Sequence, residues 1–185
     1  GSAQARTRRP TLPELDRILT YFSERDGRAS LPMVDLTLFA IFSSRRQAEI
    51  CRIRWDDLVE STRSVLVRDM KSPRGSKGNH VSVNMPDEAW AIIQRQPKVD
   101  DRIFPFNSKS ISCAFTRSCK VAGVKNLRFH DLRHEGASRL FELGWDIPQV
   151  SQVTGHRSWM TLQGYTHLYE LGVVDKYKDW FDFDK

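Results

Sequence analysis

The chain has 185 residues, 39% hydrophobic and 28% charged, a mix that supports one globular domain with its own core and argues against wholesale disorder. Its longest apolar run, around Leu36 to Phe42, falls far short of the roughly 18 residues a membrane span needs, and the chain carries no secretory signal-peptide pattern. The formal net charge of +6 favours a polyanionic partner, nucleic acid before an acidic membrane, while three cysteines (Cys51, Cys113, Cys119) without a CxxC pair argue against a disulfide framework or zinc ribbon and fit a reducing cytoplasm.

Residues 1–10 are polar and basic and end in Pro10, so they read as a linker at a domain edge. Thr11-Leu12-Pro13-Glu14 is a capping box, and Leu15, Ile18, Leu19 and Phe22 follow at helical spacing, which predicts a helix over 12–25. A largely buried helix is predicted from about Leu31 to Phe42, and a third from about Arg46 to Arg54 with Ile50 and Ile53 inward. The period then changes. Val65 with Val67, and Val81 with Val83, alternate with polar residues and read as two strands, joined by a turn-rich basic tip over Lys71 to Asn79. Further helices are predicted over 86–96, 110–122 and 130–143, with Gly123 and Gly144 at their ends. Pro148 opens a short helix that stops at Gly155, another covers roughly 158–167, and 172–183 is a candidate last helix. The sum is a mainly α fold with a small antiparallel β-sheet (α+β).

Three segments carry residues suited to phosphodiester chemistry. On a helix, His130 and Arg133 share one face, with Cβ atoms about 5–6 Å apart. A guanidinium can grip non-bridging oxygens with two donors while an imidazole handles a proton. Taken alone, the pair reads first as a capped or solvated helix face. Downstream, Gly155 permits a tight backbone entry beside His156, and Tyr165 follows in Thr161-Leu-Gln-Gly-Tyr165-Thr-His. A phenol is a poor nucleophile at its ordinary pKa near 10 and needs cations nearby to favour the phenolate; a lone tyrosine otherwise reads as a half-buried ring. Upstream, Arg46 stands at a helix N-terminus, where the helix dipole does not favour a cation, so it reads as serving a site, with Glu49 three residues on to hold it.

In this order and at these separations, the segments resemble the tyrosine recombinase (phage integrase) family over about Thr11 to Leu168. Arg46 falls on the family's first arginine, in a stretch usually reading T-G-x-R-x-x-E. Lys71 falls on the hairpin lysine, with Lys77 as the other hairpin candidate. His130 and Arg133 fall on the H-x-x-R box, His156 on the G-H position and Tyr165 on the nucleophile. The chain departs from the pattern in having Ser43-Ser44 for Thr-Gly and Arg45 for an apolar residue. Arg46 is preferred to Arg45 because Glu49 and the Ile53-Arg54-Trp55-Asp56-Asp57-Leu58 run set the register.

The resemblance implies a tyrosine recombinase catalytic-domain fold over 11–170, followed by a tail over 171–185 that either docks on a neighbouring protomer as an oligomerisation helix or folds back on its own domain. It implies DNA strand transesterification, in which Tyr165 attacks a phosphate to give a 3′-phosphotyrosyl bond and a free 5′-hydroxyl. Arg46 and Arg133 would hold the non-bridging oxygens, Lys71 would protonate the leaving oxygen, His130 would assist proton transfer at the tyrosine, and His156 would donate to the phosphate. Glu49 and His134 would be supporting residues. No cofactor is implied. The implied partner is double-stranded DNA, bound by a homo-tetramer built from chains that are monomers as isolated domains, each with an additional N-terminal DNA-clamping domain. The setting is a bacterial or phage-encoded cytoplasmic enzyme without a membrane partner. Arg74, Lys77, Arg117, Lys120, Lys125 and Arg128 are candidates for DNA-backbone contacts, or else a solvated basic face. Three other readings compete: a DNA-binding module without catalysis, a type IB-like topoisomerase, and a zinc hydrolase using His130 and His134 at i, i+4.

Overall fold

A computed structural model of the chain describes residues 6–168 and 175–178. Its elements are α1 (Leu12–Asp26), α2 (Met33–Ser43), α3 (Gln47–Ile50), β1 (Leu58–Val59), β2 (Ser64–Val67), β3 (Val81–Asn84), α4 (Asp87–Gln94), α5 (Ser108–Ala122), α6 (Asp131–Glu142), α7 (Ile147–Thr154) and a 3₁₀ segment, Trp159–Leu168. The fold is mainly helical with one three-stranded antiparallel sheet in the order β1-β2-β3. Among the described residues no helix is long and apolar enough to cross a membrane.

The predicted elements form for the expected local reasons. At α1 the Thr11 hydroxyl accepts the Glu14 N–H at 3.2 Å while the Glu14 carboxylate accepts the Thr11 N–H at 3.0 Å, so two otherwise unpaired donors are satisfied. The helix then buries Leu15, Ile18 and Phe22. In the hairpin, Val65 stands opposite Val83 and Val67 opposite Val81, so strict alternation sends one face of the sheet into the core. Helix α2 is buried along nearly its whole length and forms the centre of the domain. Against it lies α6, at a distance only glycine allows: a Cβ on Gly136 would stand 2.0 Å from the Ile41 carbonyl oxygen.

Three elements differ from expectation. Helix α3 ends at Ile50, not near Arg54, because the following backbone pairs elsewhere: Ile103 N–H donates to Ile53 O at 3.1 Å and Trp55 N–H to Asp101 O at 3.1 Å. This pairing leads into β1, a third strand that the sequence pattern did not suggest. The segment over 159–168 is 3₁₀ instead of α. Its three-residue period stacks Leu162, Tyr165 and Leu168 along one edge, and that edge packs on a second, small core of Leu140, Phe141, Val150 and Val153.

Both ends of the described chain pack onto α6. Residues 6–10 lack regular structure, yet Arg6 pairs with Asp131 at 2.9 Å and Arg9 with the fully buried Glu135 at 2.8 Å. From the other end, Asp175 pairs with Arg139 at 2.6 Å, and the buried Tyr177 donates its hydroxyl proton to Glu135 at 2.7 Å. The helix expected over 172–183 lies mostly outside the described residues; within it, 175–178 form a turn on their own domain.

Candidate active site

Four separate segments converge on one open cleft of about 1020 Å³: the α2–α3 loop with Arg46, the hairpin tip with Lys71 and Arg74, the start of α6 with His130 and Arg133, and residues 154–161 with His156 and Arg157. Among the described residues that line it there is no carboxylate. A cleft carrying several cations and no opposing charge is built for an anion.

The α2–α3 loop shows how the cations are held. Ser44, at the family's glycine position, adopts the left-handed conformation (φ 53°) that ends α2. Ser43 supports the turn, its hydroxyl donating to Phe39 O at 2.5 Å and accepting the Arg45 N–H at 3.2 Å. The two successive arginines then diverge. Arg45 is fully buried and bonds Glu49 Oε1 at 3.1 Å and the Val153 carbonyl at 2.5 Å. Arg46 stays half-buried at the cleft, held by Glu49 Oε2 at 2.9 Å. One carboxylate thus fixes both, with Arg46 facing the cleft and Arg45 internal. Arg133 adds a second tie, donating to the carbonyls of Ser44 and, at 3.3 Å, Thr154. Two guanidiniums therefore clamp the Arg46 loop to the backbone just before His156. Burial lowers the Arg133 pKa, and the neighbouring charges of Arg45 and Arg46 push the same way.

Three imidazoles lie at or beside the cleft, and all three are held below the ordinary histidine range. For His156, burial dominates, followed by Arg133, Arg46 and Arg45, and its pKa falls to about 4. His130 is lowered by partial enclosure, then by Arg133 and Arg46, and His134 by burial and then Arg9. A histidine whose folded pKa lies below its unfolded value binds its proton more readily when unfolded. It therefore adds stability above the unfolded pKa and loses it as pH falls toward the folded one. The melting temperature is expected to drop as pH is lowered from about 6.5 toward about 4. Thermal melts across that window check this, and His156→Asn should flatten the slope.

Tyr165 stands at the side of the cleft and is not among its lining residues, although Thr161 on the same segment is. Its ring stacks on Phe141 at 5.7 Å and 18°, and its hydroxyl lies 2.7 Å from His134 Nδ1. Burial raises its pKa, opposed by the charges of Arg133 and then Arg9. The family resemblance implied His130 for the proton traffic at Tyr165; in the structure the Tyr165 hydroxyl meets His134, and His130 lines the cleft. These different surroundings separate the two histidines of the i, i+4 pair, and among the described residues no three His, Cys, Asp or Glu converge as a metal-ligand set.

Of the hairpin lysines, Lys71 lines the cleft and Lys77 does not. Of the other basic candidates, Arg74 lines it, while Arg117, Lys120, Lys125 and Arg128 are exposed on or after α5, outside the lining. The sequence pattern did not single out Arg157 and Thr154. Thr154 Oγ1 lies 2.7 Å from His156 Nδ1, a partner that its position two residues upstream could have suggested.

Residues 11–171 match the sequence model of the Phage integrase family. The shufflon-specific DNA recombinase of Escherichia coli is 29% identical over 94% of this chain, which spans 44% of that protein. Among solved structures, XerA recombinase superposes with a TM-score of 0.63 at 23% identity, covering 90% of this chain and 62% of that one. A lambda integrase tetramer bound to a Holliday junction gives a TM-score of 0.63 at 20% identity, covering 85% of this chain and 50% of that one. These likenesses establish the tyrosine recombinase catalytic-domain fold.

Proposed function

The chain belongs to the phage integrase family, and from that premise we propose that it is the DNA-cleaving domain of a site-specific recombinase acting through a phosphotyrosyl intermediate at Tyr165. The observation that carries this reading is the carboxylate-free cleft in which Arg46, Lys71, His130, Arg133 and His156 meet, with Tyr165 at its side within the field of Arg133. A scissile phosphate in the cleft would place its non-bridging oxygens against Arg46 and Arg133, which are already fixed by Glu49 and by backbone carbonyls. Donors fixed in advance stabilise the charge of the transition state without reorganising. In the tautomer in which His156 Nδ1 accepts the Thr154 hydroxyl, Nε2 carries the ring hydrogen and donates to the phosphate. Lys71 protonates the departing 5′ oxygen. The bond energy is kept in the protein–DNA linkage, so strand rejoining is the same chemistry reversed.

Double-stranded DNA is the proposed substrate, with four copies acting on paired duplexes; the lambda integrase tetramer bound to a Holliday junction supports that assembly. The described tail residues 175–178 pack in cis.

The test is a trap. Nicked duplexes that strand the cleaved state are mixed with the protein in the presence of a chelator, and an SDS-resistant adduct is sought, with peptide mapping of the attachment point. An adduct on Tyr165 supports the reading. Tight DNA binding without any adduct, in this chain and in longer forms of the protein, would reduce it to a non-catalytic DNA-binding module. Arg133→Ala should lower the capture rate by about 10²–10³, the usual effect of removing one transition-state donor. A near-wild-type rate would remove Arg133 from the site.

A further inference from the structure

The hydroxyl of Tyr165 is held by an imidazole that the cleft does not use. We infer that His134 is the proton acceptor for Tyr165, positioned by α6 so that its Nδ1 takes the phenolic hydrogen across the observed 2.7 Å contact. This rests on the recombinase reading above and replaces His130 as the group that deprotonates the nucleophile.

Four observations support it. First, the geometry is specific: the Phe141 ring stacks on Tyr165 and the 3₁₀ edge packs on the small core, so the hydroxyl is presented to His134. Second, His134 is half-buried and its pKa is lowered, so at neutral pH its lone pair is free to accept. Third, the phenol needs such a partner, since burial makes it harder to ionise. Fourth, charges of both signs surround the pair. Arg9 from the N-terminal arm opposes protonation of His134, Glu135 and Asp131 on α6 favour it, and Arg133 and Arg9 favour the phenolate. A base of this kind can take a proton and give it back.

The step balances as follows. The Tyr165 Oη–H bond breaks and its proton passes to His134 Nδ1. The Oη–P bond forms as P–O5′ breaks, and O5′ leaves with a proton from Lys71. On rejoining, the 5′ oxygen returns its proton to Lys71, and the His134 imidazolium returns its own to the phenolate.

Two measurements test this. Ring ¹⁵N NMR of His134 in the DNA-free protein near neutral pH should show an unprotonated Nδ1 with hydrogen on Nε2. Hydrogen on Nδ1, or an imidazolium, would overturn the proposal without reference to any activity. In single-turnover capture on nicked duplex, His134→Asn keeps a hydrogen-bonding group near the hydroxyl but cannot take a proton. Its rate should fall about 10²–10⁴-fold. A more acidic, fluorinated tyrosine at position 165 should recover most of that loss in His134→Asn while changing the wild type little. Wild-type rates in His134→Asn, or the same fold-change from fluorination in both backgrounds, would overturn the assignment. Absence of an adduct in the wild type would instead count against the recombinase reading, and the tautomer measurement, made on unsubstituted protein, would still decide whether His134 accepts.

Discussion

Tyr165→Phe is expected to abolish covalent capture of DNA completely while leaving both fold and DNA binding in place. The substitution removes one oxygen. The ring remains stacked on Phe141, within the small core of Leu140, Val150, Val153 and Leu162, so almost no packing is lost. His134 Nδ1 loses its partner, but the ring is only half-buried and water can replace the hydroxyl, so the cost to stability is about 1 kcal/mol or less. The cations that would meet the phosphate all lie on other elements and are untouched, so binding and its salt dependence should match the wild type. Three measurements made side by side check this: SDS-resistant adduct, gel shift across a salt series, and thermal melting. Residual adduct in the variant would move the nucleophile to another residue.

Gly136→Ala is expected to destabilise the domain by about 3 kcal/mol or more, at or beyond the top of the usual range for overpacking. In an exposed helix this substitution gains up to about 1 kcal/mol from helix propensity. Here the added Cβ would stand 2.0 Å from Ile41 O, 2.6 Å from Ser44 Oγ and 3.1 Å from Ile41 C. The first and third are backbone atoms of α2, so no side-chain rotation relieves the clash and the two helices must move apart. Separation also reaches the cleft, because Arg133, three residues before Gly136, donates to Ser44 O on the segment that would be displaced. Stability and capture rate should therefore fall together. A urea titration reads the first as a lower midpoint at an unchanged slope, and single-turnover capture reads the second. A variant as stable as wild type would show that α2 and α6 do not approach as closely as the structure has them.

Much of this organisation is readable in the residues themselves. Capping at Thr11 and Glu14 involves groups three residues apart, the valine alternation of β2 and β3 follows the pleat, and His130 and Arg133 share a face because a helix repeats every 3.6 residues. Such features act over a few residues, so any chain with that local pattern meets the same geometry. The ordered set of arginines, hairpin lysine, histidines and tyrosine is likewise a property of the string, and it carries the family resemblance without reference to any tertiary contact. The end of α3 was not readable, since it depends on backbone pairing with residues 101–103, about fifty positions on. Neither was the 3₁₀ winding of 159–168, because the small core that selects it comes from α6 and α7.

Within the site, the sequence by itself determined which residue types were available, and tertiary structure decided what each one does. Arg45 and Arg46 are adjacent and chemically identical. Only the packing of the α2–α3 loop against the end of α7, through a bond spanning 108 positions from Arg45 to Val153 O, buries the first and leaves the second at the cleft. His130 and His134 are separated by one helical turn. Which of them meets Tyr165 depends on how a segment 31 residues beyond His134 docks on α6. Pairings of this kind are set by the summed burial of two cores, a quantity spread over many residues, and therefore leave no mark at the positions that they bring together.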